Sequence, residues 1–159
     1  MRRRDEGGEN IQPAKVKGMV LGYLEERFGL GRELFSGYEL YLASKGRVYL
    51  GPASVPPNTP IVTLGLMIAR VSGSVKPSTN LLQSFGGRIT RNAIELSREQ
   101  TAAYCEGRDV TLEEGQGEST SDGFVLLKYL GKPLGCGHRA GNAVRNQLPK
   151  AKRLSLRFL

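Results

Sequence analysis

Glycine and proline interrupt this chain so often that only one segment has room for a long regular element. Twenty-one glycines and eight prolines stand in 159 residues. Such punctuation favours many short strands and helices, a mixed or β-rich architecture, over a helical bundle. The level stays below that of low-complexity sequence. A hydrophobic content of 39% leaves enough apolar side chain for a packed core. The length suits one domain or two small ones.

The long element is predicted from Pro13. Val16, Met19, Val20, Tyr23, Leu24 and Phe28 recur at helical spacing and form one apolar stripe. Gly29 follows as the residue that ends the helix. Residues 1–12, polar and charged, read as a flexible tail. Strand signals come next. Tyr38, Leu40 and Leu42 alternate with Glu39 and Tyr41, Val48 to Leu50 forms a second strand, and Lys45-Gly46 supplies a hairpin turn. Pro52 to Pro60 is predicted to be a loop. Ile61 to Val71 reads as a buried strand with a bulge at Gly65. Pro77-Ser78 begins a short helix carrying Leu81, Leu82 and Phe85, and Gly86-Gly87 marks a domain boundary.

Beyond that boundary, Ile94 and Leu96 make a brief strand. Ser97 and Gln100 form a capping box that opens a helix through about Glu106, stopped by Gly107. Glu113 to Ser121 is an acidic loop. Phe124 to Tyr129 is a central strand, Gly131 to Pro133 a turn, and Leu134 to His138 a returning strand. Ala140 to Lys150 is expected to be a basic loop. Leu154, Leu156 and Phe158 alternate with Arg153, Ser155 and Arg157 as a last strand. The fold class is therefore α+β, with compact halves at 13–87 and 92–159. Phe28, Phe124 and Phe158 are assigned to the core. Tyr38, Tyr41 and Tyr49 are read first as core residues and second as base-stacking ones.

Charge is unevenly placed. The chain carries a net +8. After Asp122 it has no acid, yet it holds Lys128, Lys132, Arg139, Arg145, Lys150, Lys152, Arg153 and Arg157. The eight acids Glu95, Glu99, Glu106, Asp109, Glu113, Glu114, Glu118 and Asp122 precede that run. Gathered cations attract polyanions. Arg139, Gly141, Asn142, Arg145, Asn146, Lys150, Lys152 and Arg153 form the candidate contact segment, extended by Lys128 and Lys132. Cations meet phosphates, amides pair with base edges, and glycine lets a backbone approach closely. A plain solvated loop is the competing reading.

Other chemistry is poorly supplied. Cys105 and Cys136 with the single His138 do not make a zinc site. Gly131-x-x-x-Gly135-x-Gly137 is not a P-loop, and no G-x-G-x-x-G joins a strand to a helix. His138 has no nucleophile beside it in sequence. No apolar run reaches the roughly 18 residues of a membrane helix, and Met1–Asn10 has no secretory core. The expectation is a soluble, cytoplasmic protein with no cofactor, metal or membrane partner.

The segment from Asp122 through Gly123-Phe124-Val125-Leu126-Leu127-Lys128-Tyr129-Leu130-Gly131-Lys132-Pro133-Leu134-Gly135, with Gly141, Arg145-Asn146 and Pro149-Lys150, resembles the C-terminal region of the Fmu/Sun family of RNA cytosine-5 methyltransferases. Leu96-Ser97 to Asp109, Thr63-Leu64-Gly65 with Lys76-Pro77-Ser78, and Tyr23 to Gly29 extend the similarity over about residues 15–153. The arrangement is also similar to the Nip-seven ribosome-biogenesis proteins, at Arg47-Val48-Tyr49 and Thr63-Leu64-Gly65. The resemblance implies a pre-PUA segment at 13–87 and a PUA-like β-barrel at 92–159 that binds RNA. The family's methyl-donor domain and its Pro-Cys-Ser motif have no counterpart here, since Cys105 follows Tyr104 and Cys136 follows Gly135. The expected function is non-catalytic binding of structured rRNA or tRNA. The alternative is an accessory subunit that delivers RNA to a modification enzyme or ribosome-assembly factor. A cryptic enzyme and an unspecific binder of anionic surfaces are the remaining readings.

Overall fold

The computed structural model describes residues 12–54 and 65–154. The first helix, α1, spans Pro13–Phe28. Proline fits its first turn because that N–H has no helical partner. Val16, Val20, Leu21, Leu24 and Phe28 are buried along one stripe, close to the stripe expected from spacing. Gly29 adopts φ +70° and ends the helix. Its N–H donates to Glu25 O at 3.0 Å, and Leu30 N–H donates to Leu24 O at 3.1 Å, which satisfies two orphan carbonyls. A Cβ at Gly29 would stand 2.0 Å from Thr90 Oγ1. The same glycine thus terminates the helix and lets the start of the second half pack against it.

A four-stranded antiparallel sheet follows, in the order β1-β2-β3-β4. Its strands are β1 (Tyr38–Leu42), β2 (Arg47–Pro52), β3 (Leu66–Ser72) and β4 (Ser74–Pro77). Lys45 and Gly46 both have positive φ, so the expected turn joins β1 to β2. One expectation is corrected. The irregularity in β3 lies opposite the Val48/Tyr49 step, at Ile68, and not at Gly65. The strand begins at Leu66, and residues 61–64 of the expected strand lie outside the described residues, as do residues 55–60 of the predicted loop. The short β4 has no sequence expectation behind it.

The helix α2 (Thr79–Phe85) is capped by Ser78, whose Oγ accepts from Leu81 N–H at 3.0 Å. It packs on the second sheet, whose order is β5-β7-β8-β9-β6. These strands are β5 (Ala93–Glu95), β6 (Val110–Thr111), β7 (Gly123–Tyr129), β8 (Lys132–Ala140) and β9 (Ala143–Asn146). β5 runs parallel to β7, and the other pairs are antiparallel. Between β5 and β6, helix α3 (Arg98–Cys105) carries the full Ser97/Gln100 capping box.

The predicted basic loop at 140–150 is corrected. β8 and β9 form a hairpin closed by the two-residue turn Gly141-Asn142, because Ala140 pairs with Ala143. Gly141 has φ +63°, which suits glycine at such a turn. Lys150–Lys152 makes a 3-10 turn. Of the expected last strand only Arg153 and Leu154 are described, and both are exposed; residues 155–158 lie outside the described residues.

The second sheet buries both faces. Val125, Leu127 and Val144 point into an enclosed core with Ile94, Leu96, Tyr104 and Leu148. Leu126 and Cys136 instead join the core of α1, α2 and the first sheet. Gln83 Nε2 donates to Leu134 O at 2.8 Å, and Thr79 Oγ1 accepts from Cys136 N–H at 3.3 Å, so α2 is fastened along β8. Arg27 fastens the end of α1 to β7 through Phe124 O and Ser121. Among the described residues no helix is long and apolar enough to cross a membrane.

Candidate nucleic-acid interface

The predicted contact residues occupy several places. Lys132 begins β8 and Gly141 follows its end. At about 3.3 Å per residue they stand roughly 30 Å apart, at opposite ends of β8. Lys128 pairs in register with Glu95. It also lines a cleft of about 520 Å³ with Arg91, Asn92, Thr120 and Ser121. Lys152 Nζ reaches Gln83 Oε1 at 3.2 Å, and Gln83 holds Leu134, so Lys152 stands at the Lys132 end.

Several of these side chains are engaged within the fold. The Arg139 guanidinium donates to Gly117 O at 2.6 Å, to Gly141 O at 2.9 Å and to both oxygens of Thr120. It pins the 112–122 loop to the hairpin. Asn146 Nδ2 donates to Tyr104 O and Arg108 O, while its Oδ1 accepts from Leu148 N–H. The amide expected to read a base edge is thereby occupied with holding α3 and β9 together. Asn142 O accepts from Leu112 N–H at 2.7 Å. Gly141 N–H donates to Asp122 Oδ1 at 3.0 Å. Arg153 donates to Leu148 O and lies over Gly107, where a Cβ would meet its Cδ at 2.6 Å.

Lys132, Arg145 and Lys150 remain exposed, and no ion pair involves them among the described residues. Arg145 belongs to a cross-strand row, Phe124–His138–Arg145. His138 stacks edge-on against Phe124 with ring centroids 4.8 Å apart, which gives this lone histidine a packing role. Phe28 is buried as expected, whereas Phe124 is half-buried under that contact.

The cysteines lie in surroundings that favour the thiol. Burial pushes Cys136 up to about 12, and burial also raises Cys105, with Glu106 adding to it. Tyr104, likewise raised chiefly by burial, donates its O–H to Cys136 O at 2.7 Å. Among the described residues no three His, Cys, Asp or Glu side chains cluster as a metal site.

Sequence reading does not count Arg47, Arg70 and Lys76 among the contact residues, yet register places them side by side on the first sheet. The signal available was alternation: exposed Arg70 sits between buried Ala69 and Val71, and exposed Lys76 between buried Val75 and Pro77.

A five-stranded sheet curled into a half-barrel, with the capped helix α3 between its end strands β5 and β6, has the form of a PUA-like domain. Residues 91–154 match the family model described as the PUA domain of methyltransferase RsmF. The similarity to the C-terminal region of the RNA cytosine-5 methyltransferases therefore holds for that segment. Relatives include ribosomal RNA small subunit methyltransferase F of Psychromonas ingrahamii, 33% identical over 92 residues, 55% of this chain and 18% of that protein. The Shewanella oneidensis enzyme of the same name is 36% identical over 59 residues, 37% of this chain and 12% of that protein. The Vibrio atlanticus one is 42% identical over 59 residues, again 37% of this chain and 12% of that protein. The chain thus matches less than a fifth of each relative's length.

Proposed function

We propose that this chain is a non-catalytic RNA-binding module for structured rRNA or tRNA. The carrying observation is that Lys132, Arg145 and Lys150, exposed and with no ion pair among the described residues, lie within a PUA-like segment similar to part of ribosomal RNA methyltransferases. Phosphate contacts supply the affinity, as cations on a surface release counterions from RNA. Cys136, buried and held as a thiol, is unsuited to attack on a base, which supports the non-catalytic reading. The delivery of RNA to a separate modification enzyme or ribosome-assembly factor is the accessory form of the same role.

Fluorescence anisotropy with tRNA and rRNA fragments across a salt series tests the proposal. Binding should weaken steeply with salt, and Arg145→Ala/Lys150→Ala should reduce the log–log slope by roughly 1.5 to 2. Affinity no different from that for heparin would sink it. Binding of S-adenosylmethionine in calorimetry would overturn the non-catalytic part.

A further inference from the structure

We infer that the outer face of the N-terminal sheet is a second RNA contact surface, a stacking platform for a single-stranded segment beside the structured part. The inference rests on the RNA-binding role proposed above and assigns a site to it.

Strand register brings Arg47 opposite Arg70, and Arg70 opposite Lys76. Residues opposite one another across antiparallel strands share a face, and like charges so placed destabilise a sheet. The row crosses three strands, so three cations span about 10 Å. Arg70 and Lys76 are exposed and make no hydrogen bond or ion pair among the described residues. Arg47 is held in place by Ser44, donating to its carbonyl at 3.1 Å and its Oγ at 2.9 Å. Glu39, the acid of β1, is engaged elsewhere, by Lys17 Nζ at 2.9 Å. Nothing within the described sheet neutralises the row, so a bound polyanion is the fitting occupant.

A second row on the same face is aromatic and soft. Tyr41 is opposite Tyr49, and Tyr49 is opposite Met67. Arg47 and Tyr49 are two residues apart on β2 and so face the same way, while Val48 and Leu50 between and beyond them are buried against the core. Tyr41 and Tyr49 are half-buried, leaving part of each ring open. Cations that track a backbone beside aromatic rings that stack on bases are what single-stranded RNA requires.

The face leads into a cleft of about 240 Å³ walled by Met67, Arg70, Lys76 and Asn80 on one side and by Gln147 and Pro149 on the other. Lys150 follows Pro149 directly, and Lys152, in the same 3-10 turn, reaches Gln83 on α2, one turn beyond Asn80. The platform is therefore continuous with the C-terminal cations.

The test uses the full chain. A fluorescein-labelled oligouridylate, single-stranded and of no fixed structure, is titrated by anisotropy against wild type, Arg70→Glu/Lys76→Glu, Tyr49→Leu and Arg145→Ala/Lys150→Ala. The charge reversal should weaken binding at least tenfold, and Tyr49→Leu roughly tenfold. In parallel, a 4-thiouridine oligonucleotide is photo-crosslinked to wild type and the modified peptides are mapped. Crosslinks on residues 41–50 or 66–76 support the platform, and this readout does not depend on any variant folding. Crosslinks confined to 123–153, with the charge reversal binding as wild type, would overturn the platform and leave RNA binding standing. An absence of binding by wild type to every RNA would overturn the proposed function itself, and the platform with it.

Discussion

Replacing Arg27 by Ala removes the side chain that ties the end of α1 to β7 of the second sheet and to Ser121 before it. Its Nε donates to Phe124 O at 2.8 Å, Nη1 to Ser121 Oγ at 2.6 Å and Nη2 to Ser121 O at 2.8 Å. These acceptors lie more than ninety positions along the chain, so no local element can replace the contact. A hydrogen bond to a charged group contributes about 1.5–3 kcal/mol. The three bonds share one guanidinium that is partly open to water, so they do not add, and the whole loss is set at about 2–4 kcal/mol. Partial burial lowers the Arg27 pKa because the charge loses hydration, an effect that Tyr23 and Asp122 oppose. For a chain of this size a kcal/mol shifts Tm by about 2–4 °C, so Arg27→Ala should lower it by roughly 5–15 °C. Arg27→Lys keeps the charge without the planar fork and should lose about half as much. Thermal and urea unfolding by circular dichroism measure both, the urea data with an unchanged m value. Stability of Arg27→Ala within about 0.5 kcal/mol of wild type would refute the clamp.

Three further outcomes are expected. Gly135→Ala puts a Cβ 2.5 Å from Tyr104 Oη and forces the buried hydroxyl off Cys136 O, so it should cost about 1–3 kcal/mol in urea unfolding. Arg139→Ala should speed amide exchange across residues 112–122 by releasing Gly117 and Thr120, while Arg145→Ala leaves exchange and stability unchanged and weakens RNA binding. Cys136 is pushed up to about 12 when folded, against about 8.5 in an unfolded chain. Its contribution is therefore whole below about pH 8.5 and is lost as pH rises towards the folded value. Alkaline unfolding curves should be flatter for Cys136→Ala, and thiol labelling of the native protein at pH 8 should modify half-exposed Cys105 and spare Cys136; equal labelling would contradict the burial.

Local signals were legible wherever the physics is local. The α1 stripe, the Gly29 terminus, the Lys45-Gly46 turn and the Ser97/Gln100 box each depend on residues within a few positions, and each stands as expected. The 140–150 segment misled because its glycine and asparagines look like loop residues. In fact they close a two-residue hairpin turn and fill hydrogen-bond needs of α3. β4 and β6 were invisible since strands of four and two residues exist only through their partners. The candidate site shows the same division. Which residues are cations is written in the chain, but whether a cation is free is decided by its neighbours. Arg139 is spent on the 112–122 loop, whereas Arg145, six positions later, is open to solvent.

By itself, the sequence determined α1 and its end, the caps and turns, the excess of positive charge and the similarity of residues 91–154 to a methyltransferase PUA domain. These follow from propensity, short-range spacing and composition. Only the tertiary structure decided that Arg47, Arg70 and Lys76 stand in one row, that Tyr41 and Tyr49 share their face, and that Asn146 is turned inward. The reason is that strand register and sheet order join residues far apart in the chain. A one-residue shift in pairing would send every one of those side chains to the opposite face.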